Sequence, residues 1–209
     1  MSAVTVNDSA EFILAKSGLS TESIRNSIHN WMGKATEIDR INGMNWYSDT
    51  QLEAAHMASV SGWNVLQCAA LLAHTSPKAL WSKNREAAWN IATEAPAIDC
   101  DNSELVAGVM YGNQRRAIKS LIVDDTLSTF GGPKTRAFCL NISGDMSAVT
   151  LDIWMCRAIG IEQKLLDRKG LYGAISDVFR MVATEYDISP AQLQAIVWTV
   201  IAGKKDTKS

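Results

Sequence analysis

Three of the four prolines in this 209-residue chain stand directly behind a serine or a glycine, as Ser76–Pro77, Gly132–Pro133 and Ser189–Pro190. Proline at the first position of a helix gives up no hydrogen bond, because that N–H has no intrahelical acceptor, and its fixed φ already suits the helix. The fourth, Pro96, stands where a helical pattern stops. Every proline therefore reads as helix punctuation. Apolar residues recur at helical spacing in between, with Ile24, Ile28, Trp31 and Met32 on one face and Leu193, Ile196, Val197 and Val200 on another. Asp8 with Glu11, Ser48 with Gln51 and Ser189 with Gln192 have capping-box spacing, and Ser20 and Ser23 flank a further helix start. Gly144, Gly160 and Gly203 stand where helices close. Period-two alternation is sparse. The pattern predicts an all-α fold of about nine to eleven helices of ordinary length.

Some boundaries follow from breaks in that pattern. Arg40 to Asn45 reads as a loop, with a helix resuming near Ser48. Gly62 interrupts ahead of an apolar helix over Trp63 to Ala73. Ser76 caps a helix that runs through Trp81, Ala88 and Ile91. Residues 105–123 hold a helix broken near Gly112–Asn113. Another helix opens at Gly132–Pro133 and closes at Gly144. Asp152 caps a helix from Ile153 to Gly160, and the polar tail from Lys204 frays.

Charge and composition narrow the function classes. Lys and Arg total 20 against 22 Asp and Glu, a net charge of −2 with a pI near 5.9, so no polybasic surface is announced. No apolar run approaches the roughly 18 residues that span a bilayer. The start of the chain lacks a basic stretch followed by an apolar one, so the expectation is a cytoplasmic protein with no membrane partner. Cys68, Cys100, Cys139 and Cys156 are scattered with no C-x-x-C pair and read as buried reduced thiols. His29, His56 and His74 show no metal-ligand spacing, and His74 reads as a polar residue at a helix end. No metal and no cofactor is expected. The seven tryptophans are many for this length; most belong to the core, and a flat aromatic in a cleft can also stack a base.

The stretch Ser128 to Gly160 carries the chemistry. A Gly131–Gly132 turn leads into a helix with Pro133, Lys134 and Thr135 in its first turn. The N–H groups of Gly132, Lys134 and Thr135 lack helical acceptors and lie at the positive end of the helix dipole, an arrangement that suits a phosphate. Arg136 follows. Lys78, Lys83, Asn84 and Arg85 form one further polar and basic group, and Arg115, Arg116 and Lys119 another. Each reads as a solvated helix face or as part of a local positive surface.

The same stretch resembles the helix-hairpin-helix DNA glycosylases of the endonuclease III superfamily (HhH-GPD), and also small phage-encoded proteins of unassigned role. Gly132-Pro133-Lys134-Thr135 matches the G-x-K-T part of the family hairpin, Leu140-Asn141 follows it, and Val149-Thr150-Leu151-Asp152 with Arg157 matches the V-D-T-H-x-x-R part. Lys134 and Asp152 keep the family separation of eighteen positions. Leu71-Leu72-Ala73-His74-Thr75-Ser76-Pro77-Lys78 is similar to the family's buried helix whose end lines the gap left by a flipped base. Four positions depart from the pattern: Thr129 for proline, Phe130 for the first glycine, Trp154 for histidine and Lys78 for glutamine. The four-cysteine cluster of endonuclease III is absent.

The resemblance implies a two-lobed helical protein, with residues 62–146 as a central bundle carrying the hairpin and residues 1–61 with 147–209 as a second lobe made of both chain ends. It implies an active-site cleft between the lobes, a monomer, and DNA as partner. Lys134 is then the nucleophile, at a position where the helix dipole disfavours the ammonium form, and Asp152 stabilises the oxocarbenium-like charge at C1′. Gly131, Gly132, Thr135, Arg136 and Lys78 would contact DNA, and Trp81, Trp154 and Gln194 are candidates for the pocket of the flipped base. The implied function is excision of a modified or damaged base, with or without strand cleavage. Two alternatives stay open: a phage-type enzyme that modifies a base without removing it, and a catalytically silent protein that binds DNA or another protein.

Overall fold

The computed structural model describes residues 6–94 and 108–202. The described residues form ten α-helices and no strand, which makes the protein all-α. No helix among them is long and apolar enough to cross a membrane, and no cluster of side chains among them could hold a metal ion. Cys68, Cys139 and Cys156 are buried and form no disulfide among the described residues, while Cys100, the break at Pro96 and the tail from Gly203 lie outside the described residues.

The helices are α1 (Asp8–Lys16), α2 (Thr21–Lys34), α3 (Glu37–Ser61), α4 (Val65–Thr75), α5 (Trp81–Glu94), α6 (Tyr111–Ile122), α7 (Pro133–Ser143), α8 (Ile153–Ala158), α9 (Leu171–Glu185) and α10 (Pro190–Ala202). Most starts are set by side-chain caps. Ser20 and Ser23 exchange bonds at the start of α2, as Asn64 and Gln67 do at α4. Ser189 caps α10 by accepting from the Gln192 N–H, and Gln192 Oε1 accepts in return from the Ser189 N–H. Asp152 caps α8, and Gly144 closes α7 with φ at 113°, a left-handed conformation that favours glycine.

Four local expectations are corrected. Asn7, not Asp8, caps α1, because its Oδ1 accepts from the Ala10 N–H. Arg40 to Asn45 is no loop: α3 runs unbroken for 25 residues from a Thr36–Asp39 cap. Gly43, which suggested the break, is a packing residue. A Cβ there would sit 2.5 Å from the Ile196 Cα, so the bare backbone of α3 is what lets α10 approach. Ser76 does not start a helix either. It ends α4, with its hydroxyl bonded back to the Ala73 carbonyl, and α5 begins only at Trp81. The Lys78 backbone between them is left-handed, with φ at 63°. Finally, Gly112 and Asn113 do not break α6; they form its first turn.

Contacts divide the described chain into two compact units, residues 6–47 with 146–202 and residues 48–94 with 108–145. The sequence reading drew these divisions at 61/62 and 146/147. In the first unit α9 is the hub. It packs on α1, α2 and α10 and buries Leu171, Ile175, Val178, Phe179 and Val182. In the second, α4 is the hub: every side chain from Cys68 to Thr75 is buried, and α5, α6 and α7 surround it. A helix apolar on all sides belongs in the middle of a bundle.

Candidate functional site

In the second unit, Gly131 and Gly132 lead into α7 as the sequence predicts. Gly132 is its N-cap and offers no side-chain bond, Pro133 stands at N1, and Lys134 and Thr135 complete the first turn. Gly131 is exposed, and Lys134 and Thr135 are half-buried. Neither glycine has the backbone angles that call for one, with Gly132 at φ −150°, and a Cβ at either would meet nothing within 4 Å. The folded chain therefore gives no steric or conformational reason for two glycines here.

The hairpin is anchored by His74, near the end of α4. His74 is 4% exposed, and its ring lies flat against Phe130 at 4.1 Å and 6°. The Thr129 hydroxyl donates to the Thr126 carbonyl at 2.7 Å, so it accepts from His74 Nε2, 2.8 Å away. Burial, with the Arg116 charge nearby, pushes the imidazole down to about 4, so it is neutral and carries its proton on Nε2. Thr129 and Phe130, two of the four departures from the family pattern, are thus the partners of one buried histidine. Sequence spacing could not reveal this, because 55 residues separate His74 from Thr129.

The basic residues sort into two sets. Lys83 pairs with Glu86 and Arg85 with Glu53, and Asn84 is wholly buried, so these three, unlike Lys78, are engaged within the fold. Lys134, Arg136, Arg116, Lys119 and Lys78 take part in no ion pair among the described residues. Arg136, Arg116, Lys119 and Lys78 are exposed, Arg116 bonds the Asn113 side chain, and Arg115 lies over the Tyr111 ring. Trp81 is half-buried with its ring edge-on to Phe138. At the far end of α7, Ile142 and Ser143 border an open groove of about 430 Å³ that also includes Leu52 and Val65.

In the first unit, Asp152 is half-buried at the start of α8, and its Oδ1 accepts from both the Trp154 and Met155 N–H groups at 2.9 Å. The N-cap role expected from sequence is what the structure shows. Trp154 is half-buried, with the Arg157 guanidinium 4.5 Å above its ring. Gln194 is 3% exposed, and its Oε1 accepts from the Tyr47 hydroxyl at 2.7 Å. Tyr47, which carried no signal in the sequence, is buried, and the Thr150 hydroxyl bonds its phenol. Burial raises the Tyr47 and Tyr172 phenols far above the usual range, and the Asp152 carboxylate adds to both shifts.

The described residues thus define an all-α protein with a glycine hairpin at one helix start and a capping aspartate at another. A family model matches residues 11–205, and the chain belongs to that family, described as a family of unknown function (DUF7178). No curated protein and no solved structure matches the chain.

Proposed function

We propose that this protein is a DNA glycosylase of the helix-hairpin-helix type, which flips a modified or damaged base out of the duplex and cuts its bond to the sugar. The observation that carries the reading is the Gly131–Gly132 hairpin. Gly131 is exposed and Gly132 half-buried, the space above both is open, no side chain caps the helix, and Lys134 and Arg136 follow without acidic partners. Such a helix start accepts a phosphate oxygen on its free N–H groups. In this reading Asp152 stabilises positive charge as it develops at C1′, and Lys134 is the amine that attacks C1′. The partner is DNA, the working form a monomer, and the compartment the cytoplasm, that of the host for a phage-encoded protein.

Gly132→Ala tests the hairpin. The backbone angles accept alanine and no atom obstructs its Cβ, so the variant should melt with the wild type and bind duplex DNA several-fold more weakly. Equal binding would remove the hairpin from the site. The reaction is tested on a panel of damaged and phage-type modified duplexes, scored for abasic sites and for adducts trapped by borohydride. Asp152→Asn keeps a good cap and should fold, with turnover reduced at least about a hundredfold. Lys134→Gln should abolish trapping. Binding without abasic product on any duplex would favour a base-modifying or silent binding protein over a glycosylase.

A further inference from the structure

The chain that delivers Asp152 is an extended segment, residues 148–151, with no regular secondary structure, and it is buried at every position: Ala148 7%, Val149 1%, Thr150 6% and Leu151 1% exposed. A buried stretch without a ladder leaves its N–H and C=O groups to find other partners, and each one left unmet is costly. Here side chains supply the partners. The Tyr172 hydroxyl, from the first turn of α9, donates to the Val149 carbonyl at 2.8 Å and accepts from the Leu151 N–H at 3.0 Å. One phenol therefore closes both sides of the residue between them. That residue, Thr150, bonds the Tyr47 phenol, which Gln194 Oε1 holds from behind at 2.7 Å. Just upstream, Arg180 Nε donates to the Ser147 carbonyl and the Ala191 N–H to the Met146 carbonyl. The strap is tied to α3, α9 and α10 in turn and ends at the α8 cap.

We infer that Tyr172, backed by the Tyr47–Gln194 pair, is a positioning residue that fixes the strap and so sets where the Asp152 carboxylate points. The inference rests on the reading of Asp152 given above, and it adds a requirement that reading lacks. A helix cap tolerates a shift of a few tenths of an ångström, whereas a charge that must meet C1′ does not. Removing the Tyr172 hydroxyl leaves the ring in the core, so the loss falls on the strap first.

The experiment compares the full-length wild type with Tyr172→Phe, using Tyr186→Phe as control. Tyr186, at the other end of α9, bonds His29 Nδ1 at 2.8 Å and has no bond to the strap. The Asp152 carboxyl is titrated by carbon NMR, and amide exchange is followed at Leu151, Trp154 and Met155. Tyr172→Phe should move the carboxyl midpoint by about half a pH unit and speed those amides about fivefold, the worth of one hydrogen bond. The α9 core amides should be unaffected, as should all of these readouts in Tyr186→Phe. Identical titration and exchange in Tyr172→Phe and wild type overturn the inference, as does a uniform acceleration that includes α9. Should Tyr172→Phe not fold, Tyr47→Phe, which reaches the strap through Thr150, is measured with the same two expected results. On any duplex the wild type cuts, Tyr172→Phe should lower kcat roughly 10- to 100-fold with KM unchanged. A wild type that cuts none removes the glycosylase reading, while the NMR measurements still decide the clamp.

Discussion

His74 donates to Thr129 from a ring that burial holds neutral, and that gives the hairpin a defined response to acid. The folded imidazole lies near 4, against about 6.5 in an unfolded chain, so between those values the unfolded state binds more protons. The stabilisation from burying the neutral ring is complete above about pH 6.5 and is lost as pH falls toward 4. The difference of about two and a half units corresponds to about 3 kcal/mol. Urea titrations at pH 7 and pH 4.5 should show a steeper loss in the wild type than in His74→Gln, which has no such proton to take up. Parallel losses would mean the ring is not held as described. The thiols behave in the opposite sense. Burial raises Cys68 to about 11 and Cys139 to about 12, so iodoacetamide at pH 8 should label neither until the chain is denatured.

At the scale of elements, the glycines separate packing from propensity. Gly43→Ala would place a methyl 2.5 Å from the Ile196 backbone, and α10 must move to admit it. The expected cost is about 1–3 kcal/mol, in spite of the helix preference alanine brings. Gly173→Ala, in α9 with nothing within 4 Å, should instead stabilise by roughly 0.4–1 kcal/mol. Thermal melts of the two variants should move in opposite directions. The same contrast explains which helices were legible in the sequence. α2, α8 and α10 begin at caps whose donor and acceptor lie within three residues, and α7 begins at a Gly-Pro step, so local spacing identifies them. α3 was misread because the reason for Gly43 lies about 150 residues away. The end of α4 was misread because Ser76 turns its hydroxyl back to Ala73, a choice that Ser-Pro spacing cannot reveal. Within the candidate site, the glycines and the Asp152 cap were legible for the same local reason. The His74 anchor and the tyrosines behind Asp152 were not, since each acts through a partner distant in sequence.

For the whole molecule, a net charge of −2 means that any DNA affinity must come from a few local cations. If Arg136 meets a phosphate, Arg136→Gln should weaken binding about equally on all sequences and reduce the salt slope of log K by about 1. An unchanged slope would place Arg136 outside the DNA contact. Arg85→Gln is the matching negative control, because its charge is spent on Glu53.

Among the described residues the second unit comes from one span of the sequence, 48–145, whereas the first is assembled from two pieces that flank it. That asymmetry sets an order of events. To bring Tyr47 to Thr150 before anything else has formed, the chain must close a loop of about a hundred residues, at an entropic cost near 4 kcal/mol. Within the second unit the bond from Gln51 to Asn141 draws the two ends of the stretch together. Once it has folded, most of that closure is already made. Pulse-labelled refolding should therefore protect the amides of α4 and α7 ahead of those of α2 and α9, and a ribosome releasing this chain would complete its middle before its beginning.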